Sequence, residues 1–181
     1  MKTSRVPALL CVVLYLALLA YTAYAADQLP DRVATHFNGK GMPNGWMSKS
    51  GHVTFMLIFG TVVPAFVALV CFLVRYMPGG LNVPHASYWR RPERRQEAYA
   101  YLFQHSLWLS CLLLLFAIGI NVLVTRANAQ QPPHLASPEL LGVLGAFLVG
   151  LGWWIVSMLV HFRRTPTPDA SGVPPGLTNS K

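Results

Sequence analysis

Two groups of side chains in this chain have the types and spacing to do chemistry. Asp31, His36 and Asn38 lie within a stretch dense in Gly and Pro, followed closely by Gly45, Trp46 and His52. An imidazole near a carboxylate can serve as a general base or as one ligand of a divalent metal. The second group is Glu97, Tyr101 and His105, whose spacing by four puts them on one face of a helix. Neither group comes with an activated nucleophile, a carboxylate pair or a phosphate-binding glycine motif. The spacing of Asp31, His36 and His52 also matches no established metal-ligand pattern. The expectation is a chain with no catalytic residue, no metal and no cofactor. Cys11, Cys71 and Cys111 all fall in apolar runs, where free thiols behave as small apolar residues, so neither a disulfide nor a Cys-based metal site is indicated.

The elements that must position these groups are set by composition. Hydrophobic residues make up 54% of the chain and charged residues 11%, far from the roughly 25% charge of soluble domains. Four runs carry no charge and no His: residues 6–26, 53–74, 106–125 and 140–160. Each is long enough to cross a hydrocarbon core of about 30 Å as a helix. A helix satisfies its own backbone in lipid, which favours helices over a barrel here. The sequence therefore predicts an all-α membrane protein, a four-helix transmembrane bundle with a small, turn-rich, hairpin-like outer loop. Residues 1–162 form its single domain, and the Pro- and Gly-rich residues 163–181 are expected to be a disordered cytoplasmic tail.

Orientation follows from Lys and Arg. With both termini inside, the cytoplasmic side carries all of these residues except Arg32, Lys40, Lys49 and Arg126, out of 14 in total. The positive-inside rule then places both termini and the Arg90–Arg95 loop in the cytoplasm of a bacterial inner membrane. Lys2 and Arg5 before an apolar run, with Ala23, Ala25 and Ala26 after it, also imitate a cleavable signal peptide. The run exceeds the length of a signal core, and Tyr21 and Tyr24 suit an interfacial belt, so the helix is expected to be retained. The formal charge of +8 reflects this bias and attraction to anionic lipid rather than nucleic-acid binding. The expected partners are the lipid bilayer and a cytoplasmic or membrane protein, with homo-oligomerisation left open.

Within the outer loop, Asn38-Gly39 and Asn44-Gly45 both read as turns, and the stretch from Val33 to Phe37 as a short strand with His36 and Asn38 on the same side. Trp46 is expected to anchor this cap at the head-group level. On the inner side, Pro92 followed by Glu93 starts a cytoplasmic extension of the third helix. Asn82, Pro84, Tyr88, Trp89, Glu93, Arg94 and Arg95 form a dense patch that reads either as an aromatic anchor with inside-positive charge or as a docking surface for a cytoplasmic partner. Pro64 is expected to bend the second span. Asn121 is an intramembrane polar group that needs an interhelical partner. Gly142, Ala146 and Gly150, four apart, predict a packing face inside the bundle.

Leu29-Pro30-Asp31, His36-Phe37-Asn38, Gly41, Pro43, Gly45-Trp46 and Ser48-Lys49 directly after a first membrane helix resemble a bacterial domain-of-unknown-function family found in SdpI-type immunity and signalling membrane proteins. Asn82, Pro84, Tyr88-Trp89 and Pro92-Glu93-Arg94-Arg95 are similar to standalone members of it. That family often has Pro where this chain has Ala34, and an acidic residue where it has Asn44. The resemblance implies an integral membrane protein and suggests toxin immunity or signal transduction. The reading from residues and resemblance together is a non-enzymatic protein that senses or binds at its outer face. The alternatives are a small transporter or channel subunit, which needs a continuous polar path, and a membrane enzyme built on His36 or on the Glu97/Tyr101/His105 face.

Overall fold

A computed structural model describes residues 5–77 and 79–164; the predicted tail from residue 165 onward lies outside the described residues. Helix α1 spans Val6–Gln28 and is followed by strands β1, Arg32–Phe37, and β2, Pro43–Ser48. Helix α2, Lys49–Leu73, runs into a 3-10 turn at Val74–Tyr76. A short helix α3, Ala86–Trp89, precedes α4, Pro92–Asn128, and α5, Ser137–Arg163. Four of these helices are long and apolar enough to cross a membrane, which makes the chain a multi-pass membrane protein.

The helix starts follow local chemistry. Ser48 ends β2 and caps α2, its hydroxyl accepting from the Gly51 N–H at 3.0 Å. Pro92 opens α4 with Glu93 in the first turn, and the helix then continues unbroken for 37 residues. At about 1.5 Å per residue that is about 55 Å, longer than a hydrocarbon core, so the predicted extension beyond the bilayer is present.

The four long helices do not share the core equally. Helix α4 packs on α1, α2 and α5, and Leu114 and Ala117 on it meet Leu18 of α1 and Met56 of α2 in the central cluster. Helix α5 lies beside α4, and Phe162 is its sole buried residue among those described. The expected small-residue face is therefore not inside the bundle. Gly142 and Ala146 are exposed, and of the stripe Gly150 meets a neighbour, the side chain of Leu112. Helices α1, α2 and α4 form the central cluster, and α5 packs on α4 and, through Phe162, on Leu81 and Trp89. Pro64 lies inside a continuous α2, where its carbonyl accepts from the Ser110 hydroxyl of α4 at 3.0 Å.

Candidate functional site

The hairpin is antiparallel, pairing Arg32 with Ser48, Val33 with Met47, Ala34 with Trp46, His36 with Gly45 and Phe37 with Pro43. The register shifts between Ala34 and His36 and again between His36 and Phe37, so Thr35 bulges and the strict alternation of a strand is lost. Val33 and Ala34 are consequently buried side by side, while Arg32 and His36 are exposed.

One of the two predicted turns is correct and the other is not. Asn38 makes the tip: its Oδ1 accepts from the N–H groups of Lys40 and Met42 at 2.9 and 3.1 Å. Asn44-Gly45 instead lies inside β2. Gly45 is required there by packing, because a Cβ on it would come within 2.7 Å of the His36 Cβ. The neighbouring Asn44 Oδ1 accepts from His36 Nδ1 at 3.0 Å. A carboxylate at position 44 would accept the same bond, so the acid-to-amide difference leaves this contact available.

What holds the hairpin is a residue that the sequence reading passed over. Asn128, at the end of α4, is 4% exposed, and its side chain serves both backbone groups of Ala34. The Ala34 N–H donates to Asn128 Oδ1 at 2.8 Å, and Asn128 Nδ2 donates to the Ala34 carbonyl at 2.8 Å. The amide thus stands in for a missing strand neighbour at the bulge. A proline at position 34 has no N–H to give it. The tip is fastened separately: the Leu135 N–H donates to the Gly41 carbonyl at 3.0 Å, and His134 Nε2 donates to the Lys40 carbonyl at 3.2 Å. Gly41 has φ +76° and lies against the Leu135 carbonyl with no room for a Cβ, which explains a glycine at this point.

Below the hairpin, Asn121 finds the interhelical partners expected of it. Its Oδ1 accepts from His52 Nε2 of α2 at 3.2 Å, and its Nδ2 donates to Thr22 Oγ1 of α1 at 3.0 Å. All three are nearly inaccessible, at 0, 3 and 2% exposure respectively. One amide therefore knits three helices. His52 is committed to this network and is not presented beside His36. Among the described residues no three His, Cys, Asp or Glu side chains converge as a metal site needs. Asn121, Thr125 and Asn128 recur at i, i+4 and i+7, one polar stripe of a helix; that spacing was the signal for Asn128.

The hairpin residues picked from sequence lie on the surface. Asp31, His36, Asn38 and Trp46 are exposed, and Gly45 is half-buried under His36. The Arg32 guanidinium sits 5.7 Å from the Trp46 ring. The hairpin thus has a buried side that faces the helices and an exposed side offering a carboxylate, a guanidinium, an imidazole, amides and an indole.

The patch at the opposite end is divided. Asn82, Glu93, Arg94 and Arg95 are exposed, while Pro84 and Tyr88 are half-buried. Trp89 is 4% exposed and donates from Nε1 to the Phe162 carbonyl at 2.9 Å, so it is part of the core rather than a surface anchor. It begins a column of five rings. Trp89 stacks on His161 at 5.4 Å, His161 on Tyr101 at 3.4 Å, Tyr101 on His105 at 5.0 Å and His105 on Trp154 at 4.9 Å. Trp154 Nε1 donates to the His105 carbonyl at 2.8 Å, and His105 Nε2 returns a bond to the Trp154 carbonyl at 3.0 Å. Tyr101 and His105 share a helix face as predicted, but Glu97 leaves it to pair with Arg94 at 3.3 Å.

Residues 13–61 match the family described as a domain of unknown function (DUF1648). The match covers most of α1, the whole hairpin and the first half of α2, and it supports a domain-of-unknown-function family at the hairpin motif. No curated protein and no solved structure matches the chain.

Proposed function

We propose that this is a non-catalytic protein of the bacterial inner membrane that binds or senses a partner at its outer face through the exposed side of the hairpin, and passes the event along α4 to the cytoplasmic side. The observation that carries this reading is the Asn128 clamp. The residue that holds Ala34 by both backbone groups terminates the same unbroken helix that begins at Pro92 and carries Tyr101 and His105 of the ring column. A displacement of the hairpin therefore loads one stiff element that reaches the opposite end. Thr22, His52 and Asn121 bond one another rather than lining a path, which favours this reading over transport.

The bias of Lys and Arg supports cytoplasmic termini. The burial of Leu18, Thr22 and Ala25 supports a retained α1: cleavage after Ala25 strips Asn121 Nδ2 of its partner inside lipid. Toxin immunity or signal relay, as in SdpI-type proteins, is the specific form of this function that the hairpin motif suggests.

The test is hydrogen exchange on the purified full chain in lipid nanodiscs, comparing wild type with Asn128→Leu. Exchange is expected to rise at Val33–Phe37 and, to a smaller degree, around Tyr101–His105. Faster exchange confined to the hairpin sinks the relay. Reporter fusions at Asn44 and Arg94 are expected outside and inside respectively, and the reverse result overturns the orientation.

A further inference from the structure

We propose that the cleft between the 3-10 turn after α2 and the start of α4 binds a phosphate oxyanion, carried in the first instance by the headgroup of an anionic lipid. The cleft has a volume of about 360 Å3 and is lined by Arg75, Tyr76, Arg95, Gln96, Tyr99 and Ala100. Two arginines from different elements thus line one space together with two tyrosines and a glutamine, and no acidic residue is among the lining. The acid nearest in sequence, Glu97, is occupied by Arg94.

Positive charge at a membrane boundary is by itself the ordinary consequence of orientation. Convergence is not. Arg75 is held in place, with Nε donating to the Phe72 carbonyl at 3.0 Å and the guanidinium 4.1 Å from the Phe72 ring. Its terminal amino groups, and the side chains of Arg95 and Gln96, have no hydrogen-bond partner among the described residues. Planar guanidinium forks match phosphate oxygens two at a time, and phenol and amide donors can complete the shell. Beside Arg75, in the direction of the membrane spans, Phe72 of α2 packs on Phe103 of α4 at 5.9 Å. A lipid suits this geometry: its phosphate lies between the arginines while its acyl chains run down past Phe72 and Phe103. Basic clefts between helices at this depth are a recurrent way of holding anionic headgroups.

The test is native mass spectrometry of the full chain released from detergent, offered phosphatidylglycerol, phosphatidylcholine or inorganic phosphate. Wild type is expected to retain one phosphatidylglycerol per chain in preference to phosphatidylcholine. The double variant Arg75→Gln/Arg95→Gln is expected to lower retention by about tenfold or more. Arg91→Gln, whose guanidinium rests over Tyr88 and outside the cleft, should leave it unchanged. Arg95→Lys should fall between, since it keeps the charge and loses the fork. If millimolar inorganic phosphate displaces the lipid from wild type and not from the double variant, the site stands and its physiological ligand is a soluble phosphate. Equal retention by the double variant and by Arg91→Gln, or equal retention of the two lipids by wild type, overturns the proposal. All variants change exposed side chains, and an unaltered melting midpoint in detergent verifies that they fold.

Discussion

The two ends of α4 are fastened in different ways. At the hairpin end, Asn128 and Asn121 hold neighbouring elements by directed hydrogen bonds of 2.8 to 3.2 Å. At the other end, Tyr101 and His105 hold α5 through stacked faces at 3.4 and 4.9 Å together with hydrogen bonds of 2.8 to 3.3 Å to Trp154 and Ser157. Hydrogen bonds weaken steeply with angle, so an amide bonded at both its atoms fixes one register. Stacked rings add contact area at the other end, where Tyr101 and His161 lie face to face at 3.4 Å. The hairpin end thus holds a backbone in one register through a single amide, while the other end spreads its hold over several rings and hydrogen bonds.

The largest effect is expected from Asn128→Leu. It strands the N–H and the carbonyl of Ala34 away from water, at about 1–3 kcal/mol for each group. Thermal unfolding in detergent should show the loss, and a midpoint unchanged from wild type removes the clamp from the account. Tyr101→Ala comes next. It deletes the centre of the ring column, where two stacked neighbours contribute about 0.5–1.5 kcal/mol each and the vacated space adds to the cost. If α4 couples the two ends, Asn128→Leu and Tyr101→Ala must be non-additive in a double-mutant cycle. Costs that simply add, measured by thermal unfolding of the two single variants and the double variant, separate the ends into independent units.

Asn121→Leu sharpens the contrast from the middle of the helix. Interhelical hydrogen bonds in membranes are worth about 0.6 kcal/mol on average, up to about 1.7, so its two bonds should cost less than the clamp. A loss as large as that of Asn128→Leu would mean that the buried network, not the clamp, organises the hairpin end. The smallest effect on folding is expected from His36→Ala. Its bond to Asn44 is exposed and is worth about 0.5 kcal/mol, the low end for a protein hydrogen bond. Stability should barely move, while any function that depends on the exposed face should fall sharply. Full activity in His36→Ala and in Trp46→Ala would remove that face from the proposed function.

Much of this protein was fixed by local sequence. Four uncharged runs of membrane length leave a chain in lipid no structure but helices, and Pro92 with Glu93 sets where α4 begins. Asn38-Gly39 specifies a turn through side-chain bonds to its own following residues, which needs no distant partner. The exposed candidates of the hairpin, Asp31, His36, Asn38 and Trp46, were legible for the same reason. They are polar or aromatic groups in a short segment tethered between helices.

Tertiary structure alone decided the rest, because it depends on which residues meet across the chain. Asn44-Gly45 has the composition of a turn, yet the Asn38 turn and the bulge at Thr35 set a register that carries it into β2, and Gly45 is there to make room for His36. The Gly142/Ala146/Gly150 stripe can pack closely, but α1 and α2 already cover α4, so most of it faces outward. Trp89 reads as an interfacial anchor until Phe162, distant in sequence, supplies a carbonyl for its indole. Asn128 shows the limit most clearly. Its position on the polar stripe with Asn121 was visible in the spacing, but its role depends on a bulge, a register and a helix end arriving at the same place, and no single segment of the sequence contains all three.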